Sequence, residues 1–250
     1  MIINIKHSRC QRGLTLIELM IALLISSVLM YGVGTIYVSS KRGYNIQDNL
    51  ARQQENSRFS LELLVHDLRM AGFPKRYVSA PIVSASTADG GGTTNDTVTV
   101  EYQAATDCLG QNTPAASCSA DNTQACAVNK YYIAHDNPTN TDNLYCLGNG
   151  GANAEIIADN VTNLQILYGI DTNSDADGIA NKYVTWPSAS ADPSKIVSVR
   201  FALLTQTPNE VKKAGTTKIY TLLDQKITVN NDKHLHRVYM NTVQLRNQMD

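Results

Sequence analysis

Hydrophobic and polar positions give the first part of the chain a pattern of its own. From Leu14 to Val38 almost every residue is apolar, and about 25 residues would form roughly 37 Å of α-helix at 1.5 Å per residue. Such a helix is long enough to cross the hydrocarbon core of a bilayer. A secretory signal peptide has a shorter apolar core and a small-residue cleavage site after it, and no such site follows this run. The pattern predicts a membrane-spanning helix.

After Val38 the pattern becomes amphipathic. Residues that would form one helix face recur at near-heptad spacing, at Ile46, Leu50, Gln54, Ser57, Leu61, Leu64 and Leu68. Gly72 and Pro74 end the pattern, as is typical of a helix C-terminus. The sequence therefore predicts that the helix continues beyond the membrane and packs one face against the rest of the protein.

The remainder of the chain has the alternation of period two that is typical of β-strands. The predicted strand segments are residues 97–103, 130–134, 163–169, 195–207, 218–229 and 237–247. Glycine and proline turn signals separate them, for example GGG at 90–92 and NGG at 149–151. A long helix followed by strands predicts an α+β fold, in which the N-terminal helix lies across an antiparallel sheet.

Charge changes this picture in one respect. The net charge is −1, but Lys6, Arg9 and Arg12 all precede the apolar run. This placement predicts a cytoplasmic N-terminus and an exported C-terminal part. No basic stripe follows the run, which argues against a nucleic-acid-binding surface.

Nucleophile-elbow, zinc-protease and P-loop motifs are also missing from the sequence, so we expect no enzyme.

The cysteines indicate an oxidising compartment. Cys10 precedes the apolar run, and Cys108, Cys118, Cys126 and Cys146 lie close together in the predicted exported part. Four cysteines in loop-like sequence predict two disulfides, with three connectivities open. A zinc site is the alternative, but the spacing includes no C-x2-C pair.

One residue does not suit a plain membrane anchor. Glu18 lies near the start of the apolar run, and an ionisable group there is costly unless it is paired. With the basic residues before it, the stretch from Gly13 to Glu18 (GLTLIE) resembles the type IV pilin processing motif. The resemblance implies cleavage between Gly13 and Leu14 by a prepilin peptidase and methylation of the new amine of Leu14. Family members usually have Phe where this chain has Leu14, and Cys10 would leave with the leader.

Cleavage would also give Glu18 a role. The new ammonium group at Leu14 would lie at membrane depth, where a lone charge is as costly as the carboxylate of Glu18. Pairing that carboxylate with the amine of its own chain or of a neighbouring subunit offsets both desolvation costs. In an assembling filament the pair can select the axial register.

Three further segments narrow the resemblance. Residues 50–73 (LARQQENSRFSLELLVHDLRMAGF), 161–184 and 237–247 are similar, in this order, to PilW-type minor pilins. The resemblance implies a type IV pilin-like fold, with a long N-terminal helix packed on a β-rich head. The implied segments are a leader (1–13), a transmembrane helix (14–38), its amphipathic continuation (39–72) and an exported head (73–250).

The resemblance also implies a function and partners. PilW-type proteins prime and assemble type IV pili, and so support twitching motility, adhesion and DNA uptake. The implied partners are other minor pilins, the major pilin, a PilY-type tip adhesin, the prepilin peptidase and the inner-membrane bilayer, with no nucleic acid bound directly. The implied location is the bacterial inner membrane, with one span and a periplasmic head, and then the pilus fibre at the cell surface. No cofactor is required.

One loop has the chemistry of a cation site. Oxygen-bearing side chains alternate along it, at Asp171, Asn173, Asp175, Asp177 and Asn181. With Gly178 they resemble the start of a calcium loop, although Val184 stands where an EF-hand has its bidentate Glu. Two interpretations stay open: a Ca²⁺ loop that rigidifies the turn between two strands, and a solvated acidic turn held by Asx hydrogen bonds.

Other classes of protein share parts of this pattern. A J-type pseudopilin of type II secretion has a similar helix and head, and a membrane-anchored, calcium-dependent adhesin would keep its anchor uncut. Processing at Gly13 separates the adhesin from both pilin-like classes. The matches after residue 50 favour the pilus protein over the pseudopilin.

Overall fold

A computed structural model of the chain describes residues 13, 15–173, 177–186, 188 and 192–248. The chain forms two compact units, one that ends at Gln47 and one that begins at Asp48. A single helix, α1 (Leu16–Met70), contributes to both units. The predicted limits of the leader, the membrane segment, the amphipathic segment and the head stay a prediction.

The first unit is the N-terminal part of α1. Large apolar side chains are exposed along it from Leu16 to Val38. In the described part of the chain, α1 is the helix that is long and apolar enough to cross a membrane. A helix that is apolar on all sides is stable only where lipid or other helices surround it.

The second unit begins with the rest of α1, which buries one stripe of side chains. The buried residues are Asn49, Gln53, Ser57, Ser60, Leu64, Val65, Asp67 and Leu68. Gln54, predicted for this stripe, is exposed, and Gln53 is buried instead. The difference arises because the first turns of the stripe are hydrogen-bonded to the sheet, whereas the prediction followed apolar spacing. As predicted, α1 ends before Gly72, which takes the left-handed φ of 80° that glycine adopts without strain.

In the described residues, ten strands follow the helix. They are β1 (Val98–Gln103), β2 (Cys126–Asp136), β3 (Thr141–Leu147), β4 (Glu155–Ala158), β5 (Val161–Ile170), β6 (Lys182–Val184), β7 (Ile196–Gln206), β8 (Thr216–Leu222), β9 (Gln225–Asp232) and β10 (His236–Gln244). Short 3₁₀ turns cover Ser84–Ser86, Pro193–Lys195 and Arg246–Gln248.

The strands form two four-stranded antiparallel sheets and a hairpin. One sheet has the order β1-β2-β3-β4, and the other has the order β10-β7-β5-β6. The segment 218–229, predicted as one strand candidate, is the hairpin β8-β9. Leu223 interrupts it, with a φ of 55° that ends β8 in a turn. The predicted α+β class with antiparallel pairing is confirmed.

The main core lies between α1 and both sheets. Leu64 and Leu68 of α1 share one buried apolar cluster with Val100 of β1, Tyr131 of β2 and Phe201 of β7. The opposite face of β7 is also buried, because the hairpin covers its Ala202 and Leu204. This second layer explains why β7 is apolar on both faces rather than on one.

Candidate functional site

The start of α1 places Glu18 at a helix N-terminus. The backbone N–H of Glu18 donates to Oγ1 of Thr15, 3.3 Å away, and the N–H of Leu19 donates to the carbonyl of Thr15 at 3.2 Å. Thr15 is therefore the N-cap, and Thr-x-x-Glu is the sequence of a capping box. An anionic side chain in the first turn also interacts favourably with the positive end of the helix dipole. Glu18 thus stabilises the helix start as well as carrying charge.

The carboxylate of Glu18 has no ion-pair partner within the described part of the chain. Its neighbours on α1 are exposed apolar side chains such as Leu16 and Leu19. Gly13 is unobstructed, with no atom near an added Cβ, whereas Leu14 lies outside the described residues. Cleavage and methylation at these two positions stay predictions.

A polar seam joins α1 to the second sheet. Nε2 of Gln53 donates to the carbonyl of Thr205 at 3.0 Å and to the carbonyl of Leu235 at 3.3 Å. Ser57 Oγ donates to Thr205 Oγ1 at 3.1 Å, and Asn49 Oδ1 accepts from the backbone N–H of Asn209 at 3.0 Å. These bonds are directional, so they fix the register of the helix on the sheet in a way that apolar packing does not.

A buried carboxylate joins α1 to the first sheet. Asp67 is 2% exposed, and its two oxygens accept from the hydroxyls of Tyr102 at 2.9 Å and Tyr131 at 2.5 Å. Asn129 adds a third bond from Nδ2 at 2.7 Å. Burial, and then the charge of Asp67, raise the pKa of both tyrosines, which keeps them protonated donors. Sequence reasoning missed this cluster, although an Asp on the most apolar part of the stripe was a signal for it.

The four predicted head cysteines form two disulfides. Cys108 is bonded to Cys146, and Cys118 is bonded to Cys126. The structure thus selects this pairing from the three that the sequence left open. The Cys118–Cys126 disulfide packs against Val78, and the Cys108–Cys146 disulfide lies at the edge of the main core.

The predicted cation loop is described only in part, because Asp175 lies outside the described residues. Asp171 Oδ2 accepts from the N–H of Gly178 at 3.1 Å, and Asp177 Oδ1 accepts from Ile179. Asn181 Oδ1 accepts from the N–H groups of residues 172 and 173. These bonds are those of an Asx-stabilised turn, and the described residues contain no group of three or more metal-binding side chains. Calcium binding stays a prediction.

Two family models match separate segments of the chain. Residues 8–33 match the model of the prokaryotic N-terminal methylation motif, and residues 130–247 match the model of type IV pilus-assembly protein W. Among solved structures, a type IV-like pilin from Thermus thermophilus is 12% identical, with 78% of this chain and 96% of that chain covered and a TM-score of 0.45. No curated protein matches the sequence.

The methylation motif at the start of an exposed apolar helix is typical of membrane-anchored proteins of the type IV pilin class. The match over residues 130–247, together with the methylation motif, supports a minor pilin of the PilW type. Two of the segments that carry the sequence resemblance, 161–184 and 237–247, lie inside this match.

Proposed function

We propose that this protein primes and assembles type IV pili together with other minor pilins, the major pilin and a PilY-type tip adhesin. Twitching motility, adhesion and DNA uptake would depend on it through the pilus. In this proposal the prepilin peptidase cleaves after Gly13, the chain is held by one span in the inner membrane with its head in the periplasm, and it then passes into the fibre.

The observation that carries the proposal is Glu18 without an ion-pair partner in the described chain, at the start of an apolar helix that is exposed on all sides. Burying this helix among other subunits removes its apolar surface from lipid or water. It also buries the carboxylate, which is favourable only if a cation meets it. The amine at Leu14 of an adjacent subunit is such a cation. The mechanism is non-covalent. Packing between helices supplies the attraction, and the ion pair selects the axial register of the subunits.

The test is replacement of Glu18 in cells that lack the chromosomal copy. We expect Glu18→Ala to be processed and inserted normally but to restore surface pili poorly, counted after shearing. Glu62→Ala is the matched control, because it removes an exposed helix carboxylate whose partner is Arg58. Secreted enzymes are assayed in the same cultures.

The outcomes separate the alternatives. Normal pili together with lost secretion would identify a J-type pseudopilin of type II secretion. A chain that keeps its leader would instead support a membrane-anchored adhesin, and full piliation by Glu18→Ala would remove the assigned role of the carboxylate.

A further inference from the structure

Two clefts of opposite charge lie on the second unit. The acidic groove is lined by Glu55, Asn56, Phe59, Ile156, Ile157 and Asp159 and has a volume of about 410 Å³. The basic cleft is lined by Arg69, Met70, Phe73, Arg246 and Asn247 and has a volume of about 470 Å³. Sequence reasoning identified neither of them.

The two clefts have matching compositions. Each contains a half-exposed phenylalanine, Phe59 at 54% and Phe73 at 47%. Each also carries two like charges, and in the part of the chain that is described none of these charged side chains forms an ion pair. An apolar ring beside unpaired charges of one sign favours a partner with an apolar group beside charges of the other sign.

Both clefts are built on ordered elements. In the basic cleft, Asn247 Nδ2 donates to the carbonyls of Arg69, Met70 and Ala71 at 3.1, 3.3 and 3.2 Å, which holds Arg246 beside the end of α1. The acidic groove lies between α1 and β4, the edge strand of its sheet. Binding would therefore cost little ordering of either cleft.

Their positions on α1 specify how two copies can meet. Glu55 and Arg69 are 14 residues apart, which is roughly 21 Å along the axis and close to four full turns. Both clefts therefore lie on nearly the same side of the helix. Two parallel copies at equal height would oppose like charges, whereas copies staggered by about 21 Å bring Glu55 and Asp159 against the arginines.

We infer that the acidic groove of one copy receives the basic cleft of a second copy, in a staggered contact. Carboxylates would pair with guanidinium groups, and the two phenylalanines would be covered together. The contact adds pairing between two copies of this chain to the proposed function. The observations that support this contact do not involve Glu18. Because the two surfaces differ, the contact is heterologous rather than two-fold symmetric.

The test uses purified full-length chain in detergent and measures self-association by sedimentation velocity at low salt. One variant reverses the basic cleft (R69E and R246E), and the other reverses the acidic groove (E55R and D159R). We expect each variant alone to associate at least tenfold more weakly than the parent, and an equimolar mixture to associate again, because one partner then has two acidic clefts and the other has two basic clefts.

The matched control reverses two exposed lysines of the 213–226 region, K213E and K226E, and should associate as the parent does. Restoration by mixing cannot come from misfolded variants, so it separates a lost contact from a lost fold. A parent that stays monomeric would overturn the inference, even if it binds a different pilin. Reversals without effect, or a mixture without restored association, would overturn it as well. A normal result for Glu18→Ala in cells would leave this measurement unaffected.

Discussion

At the residue scale, the core of the head contains a hydroxyl without a partner. Tyr168 is 1% exposed, its ring packs against Trp186 at a centroid distance of 5.1 Å, and its Oη has no hydrogen bond to any residue that the structure describes. A buried, unpaired hydroxyl costs about 1–3 kcal/mol. We expect Tyr168→Phe to raise the free energy of unfolding by about 1 kcal/mol. Urea titration of the full-length chain measures this through Trp186, the one tryptophan in the sequence.

The comparison variant is Tyr131→Phe, which removes the same atom from a hydroxyl that donates to Asp67. A bond to a charged group contributes about 1.5–3 kcal/mol, so this variant should be less stable than the parent. If both variants lose stability alike, the environment of Tyr168 has been misassigned.

Asp96 makes head stability depend on pH. Its side chain is buried and accepts from the backbone N–H groups of Gly90 and Ile166. Burial nevertheless raises the pKa of Asp96 from 3.8 to about 6, and the two hydrogen bonds oppose that shift. The folded state therefore binds a proton at Asp96 more tightly than the unfolded state does. The stability that this protonation contributes is complete below about pH 4 and is lost as the pH rises through 6.

The test is Asp96→Asn, which removes this titration. The variant should be less stable than the parent at pH 4, because its amide nitrogen cannot accept a hydrogen bond, whereas both oxygens of the protonated carboxyl can. Between pH 4 and pH 7 that deficit should shrink by on the order of 2 kcal/mol. Parallel curves for Asp96→Asn and the parent would refute the shift.

At the element scale, the polar seam predicts a sharp contrast between adjacent glutamines. Gln53→Ala removes the buried Nε2 donor that bonds the carbonyls of Thr205 and Leu235, of which the Leu235 carbonyl keeps the N–H of Thr207. The free energy of unfolding should fall by about 1–3 kcal/mol. Gln54→Ala, at an exposed position, should change it by less than about 0.5 kcal/mol. Equal losses in urea titrations would mean that the seam has no specific role.

Local patterns predicted the elements with strong periodicity. The helix and the strand segments at 97–103, 163–169 and 195–207 correspond to α1, β1, β5 and β7. Strands β3, β4 and β6 were not predicted. Polar residues dominate the start of β3, and β4 and β6 are short edge strands with 4 and 3 residues. Their pairing comes from neighbouring strands rather than from their own propensity.

At the scale of the whole molecule, the sequence indicated the anchor, the fold class and the number of disulfides. It did not indicate that β7 pairs with both β5 and β10, because such pairing joins residues far apart in the chain. It also could not place Phe59 beside Asp159, or Phe73 beside Arg246. Both clefts exist only after distant segments have packed together.

The two disulfides are nested, since the Cys118–Cys126 bond lies inside the loop closed by Cys108–Cys146. A protease that cuts once anywhere between residues 109 and 145 therefore cannot release a fragment, because the two pieces stay joined by sulfur. A nicked head would migrate as one species on a non-reducing gel and as two after reduction. For a head exposed outside the cell, as proposed above, the nesting means that a cut in the backbone does not by itself break the covalent continuity of the domain.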